Sequence, residues 1–198
     1  MKQVLIATSN QGKAKEFETL FSPLGYSVKT LLDYPDAPDV NETGTTFEEN
    51  AKLKAETIAK QYNVMTIADD SGLIVDALGG EPGVYSARYA GEEKNDEANI
   101  DKVLKYLQGV KKSARTARFH CTLAVARPNK ETVTFTGECE GNITTERMGD
   151  GGFGYDPVFW VEDKQCTLAQ MTQRQKGAIS HRGKAIIKLA ELLPTLTK

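Results

Sequence analysis

The sequence predicts an α/β fold, with a mixed, mainly elongated central sheet flanked by helices. Two observations lead there. Short apolar runs of strand length recur from residues 3–8 to residues 158–161, and between them lie stretches whose apolar residues fall at helical spacing. The two kinds of segment are mixed along the chain, with no internal repeat, low-complexity segment or long linker to divide it. At 198 residues the chain fits one domain, or two closely packed lobes, and can bury a substantial core.

Each element has a local cause. Residues 3–8 read as a buried strand. Asn10 then caps a helix to about residue 22, with Phe17, Leu20, Phe21 and Leu24 on one face. Gly25 ends it, and residues 26–30 form a second strand. Pro35, Pro38 and several acids make residues 31–41 a loop. Thr46, with Glu49 three residues on, is a capping box that opens a second helix to about residue 61, and Phe47, Ala51, Ala55, Ile58 and Ala59 face inward. Residues 65–69 and 73–75 read as two strands flanking an acidic turn, followed by a glycine- and proline-rich loop at 79–83. Residues 96–107 are helical. Residues 116–126 and 131–138 alternate as a hairpin around Pro128, Asn129 and Lys130. A glycine-rich loop at 149–154 leads to a strand at 158–161, and a last helix runs from 181 to 193 with Ser180 as its cap.

Composition excludes several classes. Hydrophobic content of 39% with 26% charged residues is that of an ordinary globular protein. A net charge of −2 gives no argument for a nucleic-acid partner. No apolar run reaches the length of a membrane span, and the segment opening at Met1 passes straight into a strand without a cleavable-signal pattern. Cys121, Cys139 and Cys166 are far apart and odd in number, which argues against a disulfide framework or a thiolate zinc site and suits a reducing cytoplasm.

Four constellations carry chemistry. The acidic segment holds Asp69 and Asp70 side by side with Ser71, and adjacent carboxylates are kept most readily where a cation or an acid/base task offsets their repulsion and desolvation. Solvated acids in an Asx turn are the alternative. If Glu42, in a glycine-bearing turn before the second helix, meets Asp70, the two suit Mg²⁺, which takes carboxylate and water oxygens; otherwise Glu42 is a solvated loop acid. Thr8, Ser9, Asn10, Gln11, Gly12 and Lys13 join the first strand to the first helix, where unpaired N–H groups and a lysine suit a polyphosphate, or where Asn10 merely caps and Lys13 stays in solvent. No G-x-x-x-x-G-K-[ST] loop occurs.

The third constellation is the loop with Phe153, Gly154, Tyr155 and Asp156. Its G-x-G-x-x-G spacing precedes a strand rather than a helix, so it is not a dinucleotide fingerprint. Its aromatics offer stacking faces or core packing. The fourth is Lys176 with His181 and Arg182, donors suited to a phosphate or to the oxygen of a purine. His120, in an apolar strand, is expected to be structural. Together these are the parts of a nucleoside triphosphate site.

In this order, the motifs at residues 8–13, 42–50, 68–73, 82–91, 153–159 and 180–183 closely resemble the bacterial form of the inosine triphosphate pyrophosphatases, enzymes of noncanonical purine nucleoside triphosphates. The likeness covers essentially the whole chain. One departure is Glu162, where relatives often have proline. The resemblance implies a single domain over residues 1–198, with two lobes enclosing a cleft, and Mg²⁺-dependent hydrolysis of ITP, dITP and XTP to the monophosphate and pyrophosphate by a cytoplasmic homodimer. It implies that Thr8 through Lys13 hold the triphosphate and that Glu42 and Asp70 hold metal, with Asp70 also the proton acceptor. It places Ser71, Phe153, Gly154, Tyr155, Asp156, Lys176, His181 and Arg182 on the nucleotide, and residues 82–91 in a structural, dimer-forming segment. Lys13 is then expected to stabilise the leaving group. Asp69 is either a further metal ligand or a like charge that tunes Asp70. Donors from His181, Arg182 or nearby backbone are expected to read the purine 6-oxygen.

Overall fold

A computed structural model describes residues 2–196. Met1, which opens the stretch without a signal pattern, and the last two positions of the predicted domain lie outside the described residues. The strands are β1 (Lys2–Ile6), β2 (Tyr26–Thr30), β3 (Thr66–Val75), β4 (Thr116–Arg127), β5 (Lys130–Ile143), β6 (Phe159–Val161) and β7 (Cys166–Thr167). The helices are α1 (Gln11–Phe21), α2 (Phe47–Tyr62), α3 (Asp96–Tyr106), α4 (Gln173–Ile179) and α5 (His181–Leu196). The strands form one mixed seven-stranded sheet in the order β2-β1-β3-β4-β5-β6-β7. β1 pairs in parallel with β2 and β3, and β6 pairs antiparallel with β5 and β7. Among the described residues no helix is long and apolar enough to cross a membrane.

The chain divides into two compact units. The first takes in the residues up to Asp70, then Cys121–Gly137, then those from His181 on. On one side of its strands Val4, Ile6, Ile67, Leu123 and Val125 pack against Phe17 and Phe21 of α1 and Ile186 and Leu189 of α5. On the other side Leu5, Ala7, Ala68, Ala124 and Ala126 pack against Ala51, Ala55, Ile58 and Ala59 of α2. Small residues on both partners let α2 lie close to the sheet. Both early caps form as expected: Asn10 accepts from the Lys13 N–H, and Thr46 and Glu49 complete the capping box. Leu24 differs from expectation. It falls in a 3₁₀ turn after α1, beyond the helical stripe, and is exposed.

The second unit comprises Ser71–His120 and Glu138–Ser180. Its core joins Leu73 and Val75 of β3, Ile100 and Val103 of α3, and Val158, Phe159 and Leu168. The segment predicted to form the dimer contact is a 3₁₀ helix, Gly83–Arg88, after a cis Glu81–Pro82 bond. β7 and α4 were absent from the predicted elements. Glu162 begins a 3₁₀ turn and accepts from Trp160 Nε1 at 2.9 Å.

Candidate active site

β3 corrects one expectation. Residues 66–75 form a single strand, so Asp69, Asp70, Ser71 and Gly72 make no turn between two strands. The ladder holds this stretch extended despite its turn-like composition. Successive side chains on a strand point to opposite faces. Ile67 lies in the cluster with α1 and α5, and Ala68 in the cluster with α2. Asp69 therefore shares its face with Ile67, and Asp70 shares its face with Ala68.

On the first face Asp69 Oδ2 lies 3.0 Å from Lys13 Nζ and 3.0 Å from Arg182 Nη2. Arg182 Nη1 donates to Glu16 Oε2, and the guanidinium lies over the Phe17 ring. Asp69 and Arg182 are each 1% exposed. Burial works against the Arg182 charge, but the carboxylates of Glu16 and Asp69 outweigh it and hold the guanidinium firmly protonated. Arg182 is thus engaged with carboxylates at both terminal nitrogens, which departs from its expected role as a reader of the base. Gly137 makes room for this helix start, since a Cβ there would collide with the His181 carbonyl. His181 itself is buried.

On the second face Asn50 Nδ2 donates to Asp70 Oδ2 at 3.1 Å. Lys54, one turn further along α2, places its Nζ 2.8 Å from Glu42 Oε1 and 3.6 Å from Asp70 Oδ1. Glu42 and Asp70 therefore do meet, about a shared cation. Burial pushes the Asp70 carboxyl above its ordinary value, while Lys54 and Lys13 pull it down. Burial opposes the Lys54 charge, but Asp70, Asp69 and Glu42 outweigh it and raise its pKa. Among the described residues no three His, Cys, Asp or Glu side chains converge on a metal position. Two carboxylates around one cation nonetheless fit Mg²⁺, which commonly takes one or two protein carboxylates and fills the remaining positions with water and substrate phosphate.

Thr8 is buried, and its Oγ1 accepts from the Asn10 N–H at 3.2 Å, while Ser9, Asn10 and Gln11 are exposed at the mouth of α1. Gly12 and Lys13 are half-buried.

In the second unit the glycine-rich loop is folded around Asp156. Its Oδ2 accepts from the Phe153 N–H at 2.9 Å and from Lys176 Nζ at 2.6 Å. Gly152 is required here: its φ is +73°, and a Cβ would collide with Asp156 Oδ2. Lys176 Nζ stands 4.6 Å from the centre of the Phe153 ring. Tyr155 differs from the expectation of a stacking face. It is 4% exposed within the core and donates from its hydroxyl to the Ser86 carbonyl at 2.7 Å. Phe153, by contrast, is half-buried. Ser71 is half-buried on β3. His120 pairs with Glu138 at 2.9 Å.

Lys54, Asn50 and Glu16 were not singled out from the sequence. The signal was present. Asn50 and Lys54 are four apart on one face of α2, and Glu16 is an acid among the apolar residues of α1.

Residues 4–192 match the Ham1 family, and the chain belongs to that family. Its relatives include a dITP/XTP pyrophosphatase of Bacillus licheniformis, 58% identical over 98% of each chain. The Staphylococcus aureus Ham1 protein has a similar structure, with a TM-score of 0.85 and 48% identity over 98% of this chain and 99% of that one. A HAM1 protein from Coxiella burnetii gives a TM-score of 0.86 at 40% identity, over 98% of this chain and all of that one.

Proposed function

We propose that this protein hydrolyses dITP, XTP and ITP to the nucleoside monophosphate and pyrophosphate, removing deaminated purines from the nucleotide pool. The observation that carries this is the placement of Asp70: buried, hydrogen-bonded by Asn50, and sharing a cation with Glu42. Full-length relatives named dITP/XTP pyrophosphatase support dITP and XTP as substrates.

Glu42 and Asp70 would hold Mg²⁺, which would supply charge neutralisation at the phosphate oxygens. Asp70 would accept the proton of a water attacking the α-phosphorus. Its burial, by raising the carboxyl's proton affinity, suits it to that task. Lys13 and the N–H groups at the start of α1 would receive the pyrophosphate. Asp69 would hold Lys13 in place rather than bind metal, since both Lys13 and Arg182 lie against it. Phe153 would stack on the base, with Lys176 beside its ring.

Discrimination would rest on the purine 6-position, where ATP carries a donor in place of an acceptor. A buried donor left without its partner costs about 1–3 kcal/mol. With Arg182 turned to its carboxylates, His181 and nearby backbone N–H groups are the donors for that oxygen. GTP shares the 6-oxygen and would be excluded at its 2-amino group. A cytoplasmic homodimer completes the proposal.

The test is to incubate the purified protein with ITP, dITP, XTP, ATP and GTP, with Mg²⁺ and with chelator, and to identify the product. Pyrophosphate from the first three alone, and only with Mg²⁺, is expected. Orthophosphate, or binding without turnover, would overturn the proposal.

A further inference from the structure

The loop that carries Phe153 is held from a second side by a residue with no assigned role. Asp96 opens α3, and its Oδ2 accepts from the Gly154 N–H at 2.8 Å. Gly154 has a φ of +58° and follows directly on Phe153, whose own N–H is taken by Asp156. Two carboxylates therefore grip consecutive amides of the loop. Asp156 fixes the amide before the Phe153 side chain, and Asp96 fixes the amide after it. Asp156 also receives Lys176, so ring and ammonium are set by one frame. Helix capping does not explain Asp96, because Asn95 is the N-cap and accepts from the Ala98 N–H at 3.0 Å. Arg147, just before the loop, reaches the first two turns of the same helix. It lies 2.9 Å from Glu97 and 2.8 Å from Asp101, which ties the start of α3 to the chain leading into the loop.

We propose that Asp96 is a positioning residue, whose carboxylate fixes the Phe153–Gly154 peptide and thereby the orientation of the Phe153 ring toward a nucleotide base. This rests on the proposed function, in which that ring receives the base.

The test compares Asp96→Ala and Asp96→Asn with the wild type in the full chain. Amide-resolved hydrogen exchange without nucleotide is measured first, then kinetics with dITP and Mg²⁺. In Asp96→Ala, exchange at Gly154 should quicken about tenfold while the amides of α3 keep their rates. KM for dITP should rise roughly fivefold or more with kcat within about twofold, the pattern of lost binding rather than lost chemistry. Asp96→Asn should restore both, because its carboxamide oxygen still accepts. Unchanged exchange at Gly154, a loosened loop with unchanged KM, loosening of α3 itself, or equal loss in Asn and Ala would each overturn the proposal. A wild type that turns over neither dITP nor XTP would overturn the proposed function instead, and exchange at Gly154 would still decide whether Asp96 holds the loop.

Discussion

Replacing Arg182 with methionine tests the charge arrangement on the Asp69 face most severely. Four groups there alternate in sign: Lys13, Asp69, Arg182 and Glu16. Together they are neutral. Arg182→Met removes one cation and leaves the carboxylates of Asp69 and Glu16, 1% and 10% exposed, with Lys13 as the remaining cation of the four. Removing one partner of a buried pair costs about 3–5 kcal/mol, because the stranded charge stays out of water. For a chain of this length that is a fall in melting temperature of roughly 6–20 °C.

The cost should depend on pH. In the variant, loss of the Arg182 charge beside these buried carboxyls favours their protonated form in the folded state, over the pH range just above the ordinary carboxylate value of about 4. The folded state then binds more protons than the unfolded state in that window, so stability falls as pH rises through it. The deficit relative to wild type should be small near pH 4 and full at pH 7. Calorimetry or urea denaturation of both proteins across that range measures it. Adding Glu16→Gln, which neutralises one stranded acid, should recover part of the loss. A deficit below about 1 kcal/mol at pH 7, or one that does not change with pH, would refute the account.

Asp70→Asn should lower kcat by about 10²–10⁴-fold while a non-hydrolysable dITP analogue still binds, checked by rapid-quench kinetics and calorimetric titration. Gly137→Ala should destabilise the chain by about 1–3 kcal/mol in urea denaturation, since its methyl group would meet the His181 carbonyl. Thr46→Ala should cost about 1 kcal/mol through the lost cap of α2. Its capping-box partner Glu49 has a carboxyl held below the ordinary value by the N–H of Thr45, its hydroxyl and the N–H of Thr46. Its stabilising effect should be full at pH 7 and lost as pH falls through that lowered value, so Glu49→Gln should match wild type in melting temperature at low pH.

Where local chemistry decided the outcome, the sequence was legible. Asn10 and Thr46 mark helix starts by side-chain hydrogen bonds to nearby amides, and both caps form. The β4–β5 hairpin follows from alternation on either side of Pro128 and Asn129, with Asn129 at a φ of +58°. Distant partners decided the rest. Asp69 through Gly72 has turn composition, but these residues fall inside β3, a strand that takes its place in the sheet between β1 and β4 and is extended throughout. Tyr155 and Phe153 are equivalent as aromatics in a glycine-rich loop, and distant partners, the Ser86 carbonyl and an apolar cluster that includes Leu73 and Ile100, take Tyr155 into the core. Arg182 looked like a donor for a ligand because its carboxylate partners lie on α1 and β3. α4 was missed despite a local sign, the capping box of Thr172 and Gln175 that places Lys176.

The alternation along β3 also explains why the two acids cannot trade places. A slip of one residue would reverse their parity, setting Asp69 toward Lys54 and Asn50 and Asp70 toward Lys13 and Arg182. Both destinations hold a lysine, so charge alone would resist the exchange only weakly. Steric fit resists it strongly. Slippage would drive Ile67 into the face where Ala51, Ala55 and Ala59 bring α2 close, and would leave Ala68 facing the larger space lined by Phe17 and Leu189. The apolar neighbours, rather than the carboxylates themselves, enforce which acid meets which cation. A substitution as mild as Ala68→Val would therefore act on the site's charge arrangement without altering a single charge.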